Sequence, residues 1–296
     1  MFINLNGTVL QAEQPALMPF NRAFRYGDGL FESIRAIGGN MPFFDLHWQR
    51  LRAGMGILKF SVPPHFSPDF FLGETMKLID GDGDWRIRIT VYRSGGGLYT
   101  PDTDLPEFLI TAERLSSDGF RLNEMGLSLG VFDEMSLPVP LPKEGQGLQA
   151  CNLKTCCALP FVLAARFKKE KKLDDCLLLN TAGRIACGSS SNVFWVKNGG
   201  LHTPPLSEGC VAGTMRNVVI DLAKSLSINV LEKPLPPAEL SGAEELFLTN
   251  AIQGIRWTAC AAGVDREFGS RVSALLSAAL ADWAVGRGQA ISRSGT

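Results

Sequence analysis

Trp85-Arg86-Ile87-Arg88-Ile89-Thr90-Val91-Tyr92-Arg93 alternates without a break. Trp85, Ile87, Ile89 and Val91 fall on one side of an extended chain, and Arg86, Arg88, Thr90 and Tyr92 on the other. A period of two over nine residues predicts a strand with one buried face. Pro106 to Leu115 predicts a second strand, and Ser116-Ser117-Asp118-Gly119 then breaks the pattern.

Upstream, Phe2 to Leu5 runs into Asn6-Gly7, a hairpin signal from which Thr8 to Leu10 can return. Gly29 to Ile37 reads as helix or strand. Gly38-Gly39-Asn40 marks a turn, with a short strand expected over Met41 to Phe44. Asp45 is placed to cap a helix from about His47 to Met55, and a second helix is expected from Asp69 to Leu78. Downstream, strands are expected at Leu127–Phe132, Cys176–Leu179, Val193–Val196 and Glu245–Thr249. Helices are expected at Leu159–Lys169, at Thr214–Leu226 and from Val272 onward. The lysines ending the first of these helices form a solvated face. With the break at 116–119 as a linker, the economical division is an N-terminal α/β domain over residues 1–119 and a larger domain over 120–296. The fold class is α+β.

At 296 residues, 45% hydrophobic and 20% charged, the composition is that of a globular protein. A formal net charge of -1 gives no footprint for nucleic acid or an anionic membrane. No stretch approaches the roughly 18 apolar residues of a membrane helix, and Met1 to Leu10 lacks the pattern of a secretory signal. The 7 cysteines are odd in number and form no C-x-x-C pair, and the 3 histidines show no ligand spacing. Neither a disulfide framework nor a metal site is expected, and a reducing cytoplasm is the expected compartment.

Two stretches carry possible chemistry. Gly209-Cys210-Val211-Ala212-Gly213-Thr214-Met215-Arg216 sets glycines directly before a helix, where unpaired N–H groups and the helix dipole suit an anion. The same stretch also fits a plain loop-to-helix junction. Phe24-Arg25-Tyr26-Gly27-Asp28-Gly29-Leu30-Phe31-Glu32 is rich in turn residues, aromatics and charge, and by itself fits a structural turn entering a strand.

Taken in order, the motifs resemble those of the fold-type IV pyridoxal-phosphate (PLP) enzymes, the class IV aminotransferases. That family includes the branched-chain and D-amino-acid aminotransferases and aminodeoxychorismate lyase. Tyr26 to Arg35 resembles the family's Y/F-G-D-G-x-(F/Y)-E signature, and His47-Trp48-Gln49-Arg50-Leu51 its H-x-x-R-L. Asn152-Leu153-Lys154-Thr155 holds a lysine where the family has its Schiff-base lysine. Gly183 to Phe194 resembles G-x-(V/I)-x-E-G-S-x-S-N-(V/I)-F, Gly209 to Arg216 the G-x-x-x-G-x-x-R phosphate loop, and Phe247 to Ala251 the last strand and cofactor loop.

The resemblance implies a two-domain fold, with a smaller N-terminal α/β domain and a larger C-terminal domain of β-barrel-like α/β form. It implies Lys154 as catalytic residue. Arg50, Lys154, Cys187, Ser189, Ser190, Thr214, Met215, Asn250 and Ala251 are implied around the cofactor. It also implies an amino acid and a 2-oxo acid as substrates and a homodimeric assembly. Phe31, Arg88, Arg93 and Tyr99 are candidates for the substrate. Arg88 could bind a carboxylate or simply face solvent. Arg93 and Tyr99 are expected on a flexible loop over the site. Cys187 departs from the pattern: the family has a glutamate there, which keeps the cofactor's ring nitrogen protonated. A thiol of ordinary pKa, about 8.5, is neutral at pH 7 and cannot do the same. The implied activity is transamination. A lyase like aminodeoxychorismate lyase, or a protein that keeps the fold with little turnover, is the alternative.

Overall fold

The computed structural model describes residues 1–13, 17–80, 82–140 and 148–293. They form two compact units. The first contains Met1–Gly119, Leu153–Cys157 and the chain from Ala284; the second contains Phe120–Asn152 and Ala158–Trp283. The short segment carrying Lys154 therefore belongs to the first unit, although its place in the sequence lies beyond residue 119.

The first unit is built from β1 (Phe2–Leu5), β2 (Thr8–Gln11), α1 (Arg22–Tyr26), β3 (Gly29–Ile37), α2 (Phe44–Ile57), α3 (Pro68–Met76), β4 (Asp84–Arg93) and β5 (Pro106–Arg114). Its sheet runs β2-β1-β5-β4-β3 with every pair antiparallel. The alternation in β4 has the expected outcome: Ile87, Ile89 and Val91 are buried, whereas Arg86 and Arg88 are exposed. Tyr92 breaks the pattern and is buried. β3 supplies Leu30 and Ile34 to the same core, which Leu51 and Met55 of α2 and Phe71 of α3 complete.

Gly29–Ile37 is a strand, paired with β4 along its whole length. The strand expected at Met41–Phe44 is absent. Residues 42 and 43 form a turn, and α2 begins at Phe44 with Phe43 as N-cap, so Asp45 lies in the first helical turn. Met41, Phe43 and Phe44 are apolar because they are buried where the helix meets the core, which mimics a buried strand in sequence. Ser67 caps α3 by accepting from Phe70 N, with Pro68 in the first turn.

The Lys154 segment lengthens this sheet at its β3 edge. Phe31 N donates to Lys154 O at 2.8 Å, Cys156 N donates to Gly29 O at 2.9 Å, and Thr155 bridges Leu30 antiparallel. Leu153 is buried in the same core. A Cβ on Gly54 of α2 would lie 2.9 Å from Leu30 Cδ1, so the helix approaches this edge as closely as a glycine permits.

The second unit contains β6 (Leu127–Leu137), α4 (Leu159–Glu170), β7 (Asp175–Asn180), β8 (Ile185–Gly188), β9 (Asn192–Lys197), β10 (Gly200–Thr203), α5 (Thr214–Ser225), β11 (Val230–Glu232), β12 (Glu245–Asn250), β13 (Gly254–Ala261) and α6 (Arg271–Arg293), the last reaching beyond it. The mixed sheet runs β11-β10-β9-β12-β13-β6-β7-β8. Its end strand β8 turns at Gly188 and lies against β9, so the sheet curls on itself. Buried Leu129, Leu177, Val193, Trp195, Leu246 and Leu248 fill one cluster inside it. The short strands β8, β10 and β11 and the hairpin strand β13 escape sequence reading. Three or four residues carry too little periodicity to separate a strand from a turn, and the 8 residues of β13 do not alternate strictly between buried and exposed.

Candidate active site

Lys154 and Cys156, two apart on an extended segment, share a side of it, as do Gly29 and Phe31 on the neighbouring strand. Lys154 Nζ lies 4.4 Å from the centre of the Phe31 ring. Arg88, opposite Ser33 in the β3–β4 register, reaches the same ring with its guanidinium carbon 3.5 Å from the centre. An arginine stacked this way is held by cation–π attraction and by area. Among the described residues Arg88 has no carboxylate in salt-bridge range. Although much of the side chain is exposed, packing around its end pulls its pKa below the ordinary arginine value, with the Cys156 thiol acting the other way. The site thus presents an amine and an acid-free guanidinium over one aromatic ring.

Beneath it, on the core face of β3, lies a buried ionic group. Glu32 Oε1 accepts from Arg50 Nε at 2.8 Å, and Oε2 accepts from Arg50 Nη2 and contacts His47 Nδ1 at 2.6 Å. Burial alone would raise the Glu32 carboxyl, but the Arg50 charge and the bonds from His47 and Arg50 outweigh it and hold the pKa at about 2. Burial is the chief reason that His47 lies below the ordinary histidine value. The Glu32 bond opposes that shift, and the charges of Arg50 and Lys154 add to it. The sequence motifs point to Arg50 but to neither Glu32 nor His47 as a functional partner. The available signal was a carboxylate alternating with Leu30 and Ile34 on an otherwise apolar strand face.

Arg93 is not on a flexible loop. It ends β4, is buried, and binds Asp28 Oδ2 through Nε at 3.0 Å, Asp104 through Nη1 and the Leu58 carbonyl through Nη2 at 2.6 Å. Tyr99 is on the loop after β4 and 90% exposed, its ring 5.6 Å from that of Tyr26. Arg22 ties this loop down by donating to the carbonyls of Gly96 at 3.0 Å and Leu98 at 2.7 Å while binding Asp28.

The remaining candidates fall in the second unit. Thr214 and Met215 begin α5 after Gly213, which supplies no side-chain cap. The preceding loop is fixed from two sides. Asn152 Nδ2 donates to Leu206 O at 2.9 Å and Cys210 O at 2.8 Å, and Asn192 Nδ2 donates to Val211 O at 2.9 Å. A Cβ on Gly213 would fall 1.9 Å from Asn192 Oδ1, so any other residue here forces the Asn192 side chain to move. Opposite Asn192 in the β9–β12 register, Thr249 holds a buried hydroxyl with no hydrogen-bond partner. Asn250 closes a turn by accepting from Ile252 N at 3.0 Å and Gln253 N at 2.8 Å, with Ala251 inside that turn.

Ser189 is buried and donates to Asp175, whereas Ser190 is exposed. Cys187 lies in β8 and is 2% exposed, in a cluster with Phe132, Leu137, Leu178, Ala186 and Cys210. No group of three or more His, Cys, Asp or Glu side chains among the described residues could hold a metal ion.

The family profile described as amino-transferase class IV matches residues 29–257. A putative branched-chain-amino-acid aminotransferase of Methanocaldococcus jannaschii is 32% identical over 84% of each chain. An aminodeoxychorismate lyase of Bacillus subtilis is 28% identical over 84% of this chain and 83% of its own. Among solved structures, the branched-chain aminotransferase of Thermoproteus uzoniensis with norvaline superposes with a TM-score of 0.81, at 24% identity, over 97% of this chain and 95% of that one. The chain belongs to the class IV aminotransferases. These are pyridoxal-phosphate enzymes of fold type IV, with the α+β architecture described above.

The residues present fit that cofactor. Taken each by itself, the first unit offers the Lys154 amine and, beside it on the core face, the Glu32-held Arg50 guanidinium, and the second offers at the α5 N-terminus a set of backbone donors of the kind that suits a phosphate. In the second unit, the Thr249 hydroxyl next to Asn250 is buried with no hydrogen-bond partner among the described residues, which leaves it able to bond a polar group of a ligand.

Proposed function

We propose that the protein transfers an amino group between an amino acid and a 2-oxo acid, with Lys154 as both cofactor-holding and proton-moving residue. The observation that carries this reading is the convergence of the Lys154 amine and the acid-free Arg88 guanidinium on Phe31. A substrate carboxylate placed at Arg88 would sit within reach of an amine that takes a proton from the substrate Cα through Nζ. Phe31 packs against both cations. Arg50, the backbone of Thr214 and Met215, and the Asn250–Ala251 turn are assigned to the phosphate. Ser189 acts through Asp175, and Ser190 faces solvent. Arg93 and Tyr99 are assigned to holding and covering the loop after β4. When bound, pyridoxal phosphate supplies the electron sink that stabilises negative charge at the substrate Cα.

Two features bear on the alternatives. Similarity to aminodeoxychorismate lyase extends over most of the chain, so a lyase is the second reading. Cys187, buried among apolar side chains, supports a weak electron sink and slow turnover. The tests separate them. Purified protein should show visible cofactor absorbance that Lys154→Ala removes; its absence ends the PLP assignment. Amino donors of both hands, offered with 2-oxoglutarate or pyruvate, should yield the new amino acid. Pyruvate release from aminodeoxychorismate without transamination would establish the lyase instead.

A homodimer is proposed as the working form, supported by exposed Met18, Phe20, Phe24, Leu98 and Tyr99 in the first unit. A monomeric mass by analytical ultracentrifugation would refute it. A cytoplasmic location is proposed because all seven cysteines are unpaired. No described helix is long and apolar enough to cross a membrane.

A further inference from the structure

Cys156 lies two positions after Lys154 on the segment that pairs with β3, so its side chain leaves the backbone on the same side as the Lys154 amine. A Cβ built on Gly29 would lie 3.2 Å from the Cys156 sulfur, which therefore covers Gly29 just as Lys154 covers Phe31. The sulfur is half-buried and close enough to Arg88 for the two to influence each other: burial pushes the thiol up, and Arg88 pulls it back. Gly29 must be small for this arrangement, because a Cβ there would also meet Val91 O at 2.9 Å. Amine, guanidinium, aromatic ring and thiol thus share one side of the β3 edge.

We propose that Cys156 is a specificity-determining residue of the aminotransferase site, forming the wall against which the side chain of an amino acid held through its carboxylate at Arg88 must pack. This rests on the assignment of Lys154 and Arg88 above. A thiol is a compact, weakly polar surface, which suits aliphatic side chains of modest size and disfavours charged ones. Changing the volume of such a wall by one or two carbon groups shifts discrimination by about 10- to 200-fold.

Two measurements on the holoenzyme test this. Cys156→Leu is expected to lower kcat/KM for leucine at least tenfold relative to alanine, and Cys156→Gly to move the ratio the other way. If Cys156→Leu fails to fold, Cys156→Ala and Cys156→Gly give the same comparison with no added bulk. Separately, N-ethylmaleimide labelling of Cys156 is followed by mass spectrometry in a Cys157→Ser background. Saturating 2-oxoisocaproate is expected to slow it at least fivefold, whereas acetate is expected to leave it unchanged. A holoenzyme that turns over with an unaltered donor ratio in every variant and unprotected Cys156 overturns the inference. Loss of the cofactor absorbance itself would instead overturn the Lys154 assignment, and the inference with it.

Discussion

Glu32 and Arg50 form a buried two-point ion pair, with Glu32 Oε1 2.8 Å from Arg50 Nε and the second oxygen shared between Arg50 Nη2 and His47. The pair joins the first motif of the sequence to the second and holds the α2 arginine against β3. Its energetic weight comes from burial: removing one partner leaves the other charged and uncompensated.

Glu32→Gln is expected to destabilise the protein by about 3 kcal/mol at pH 7, read from urea unfolding. The folded carboxyl lies at about 2, below its ordinary value of 4.5. Its contribution is therefore complete above pH 4.5 and fades as pH falls towards 2. The stability gap between wild type and Glu32→Gln should narrow over that window. A gap that stays constant from pH 7 to pH 3 would contradict the depressed pKa.

Gly213→Ala is expected to weaken cofactor binding about tenfold, since about 1.4 kcal/mol is a factor of ten. The new methyl would collide with Asn192 Oδ1, and Asn192 is what fastens the loop before α5 through Val211. Fluorescence titration of the apoenzyme with pyridoxal phosphate reads the effect, and unchanged affinity would mean that the α5 start does not hold the phosphate.

Arg93→Met should lower stability by about 2–4 kcal/mol while leaving KM for both substrates within about twofold, because Arg93 is engaged by Asp28, Asp104 and the Leu58 carbonyl. Steady-state kinetics on the folded fraction decide it. A large rise in KM without loss of stability would return Arg93 to the substrate site.

Cys187→Glu is expected to raise the transamination rate, since a carboxylate can pair with a protonated ring nitrogen as a neutral thiol cannot. A lower or unchanged rate in a folded, cofactor-loaded variant would show that the cysteine serves a different chemistry.

Much of this was legible in the chain. The alternation from Trp85 to Val91 fixed which face of β4 is buried, because strand geometry ties side-chain direction to sequence parity. Gly213 ahead of Thr214 marked the start of α5, because the first N–H groups of a helix have no intrahelical partner and a glycine N-cap has no side chain to satisfy them. Lys154 was identifiable by its place among six ordered motifs, and Cys187 by its departure from one of them.

Tertiary structure alone decided the rest. Local patterns do not say that Thr155 pairs with Leu30, because strand pairing between distant segments depends on which edge is left open once β4 has taken the other side of β3. That pairing carries Lys154 into the first unit and sets Cys156 beside Arg88. Nor could parity alone reveal that Arg93 lies among acids while Arg88, five residues earlier on the same strand, meets none among the described residues. The charge of a side chain is written in the sequence; its partner is chosen by the fold.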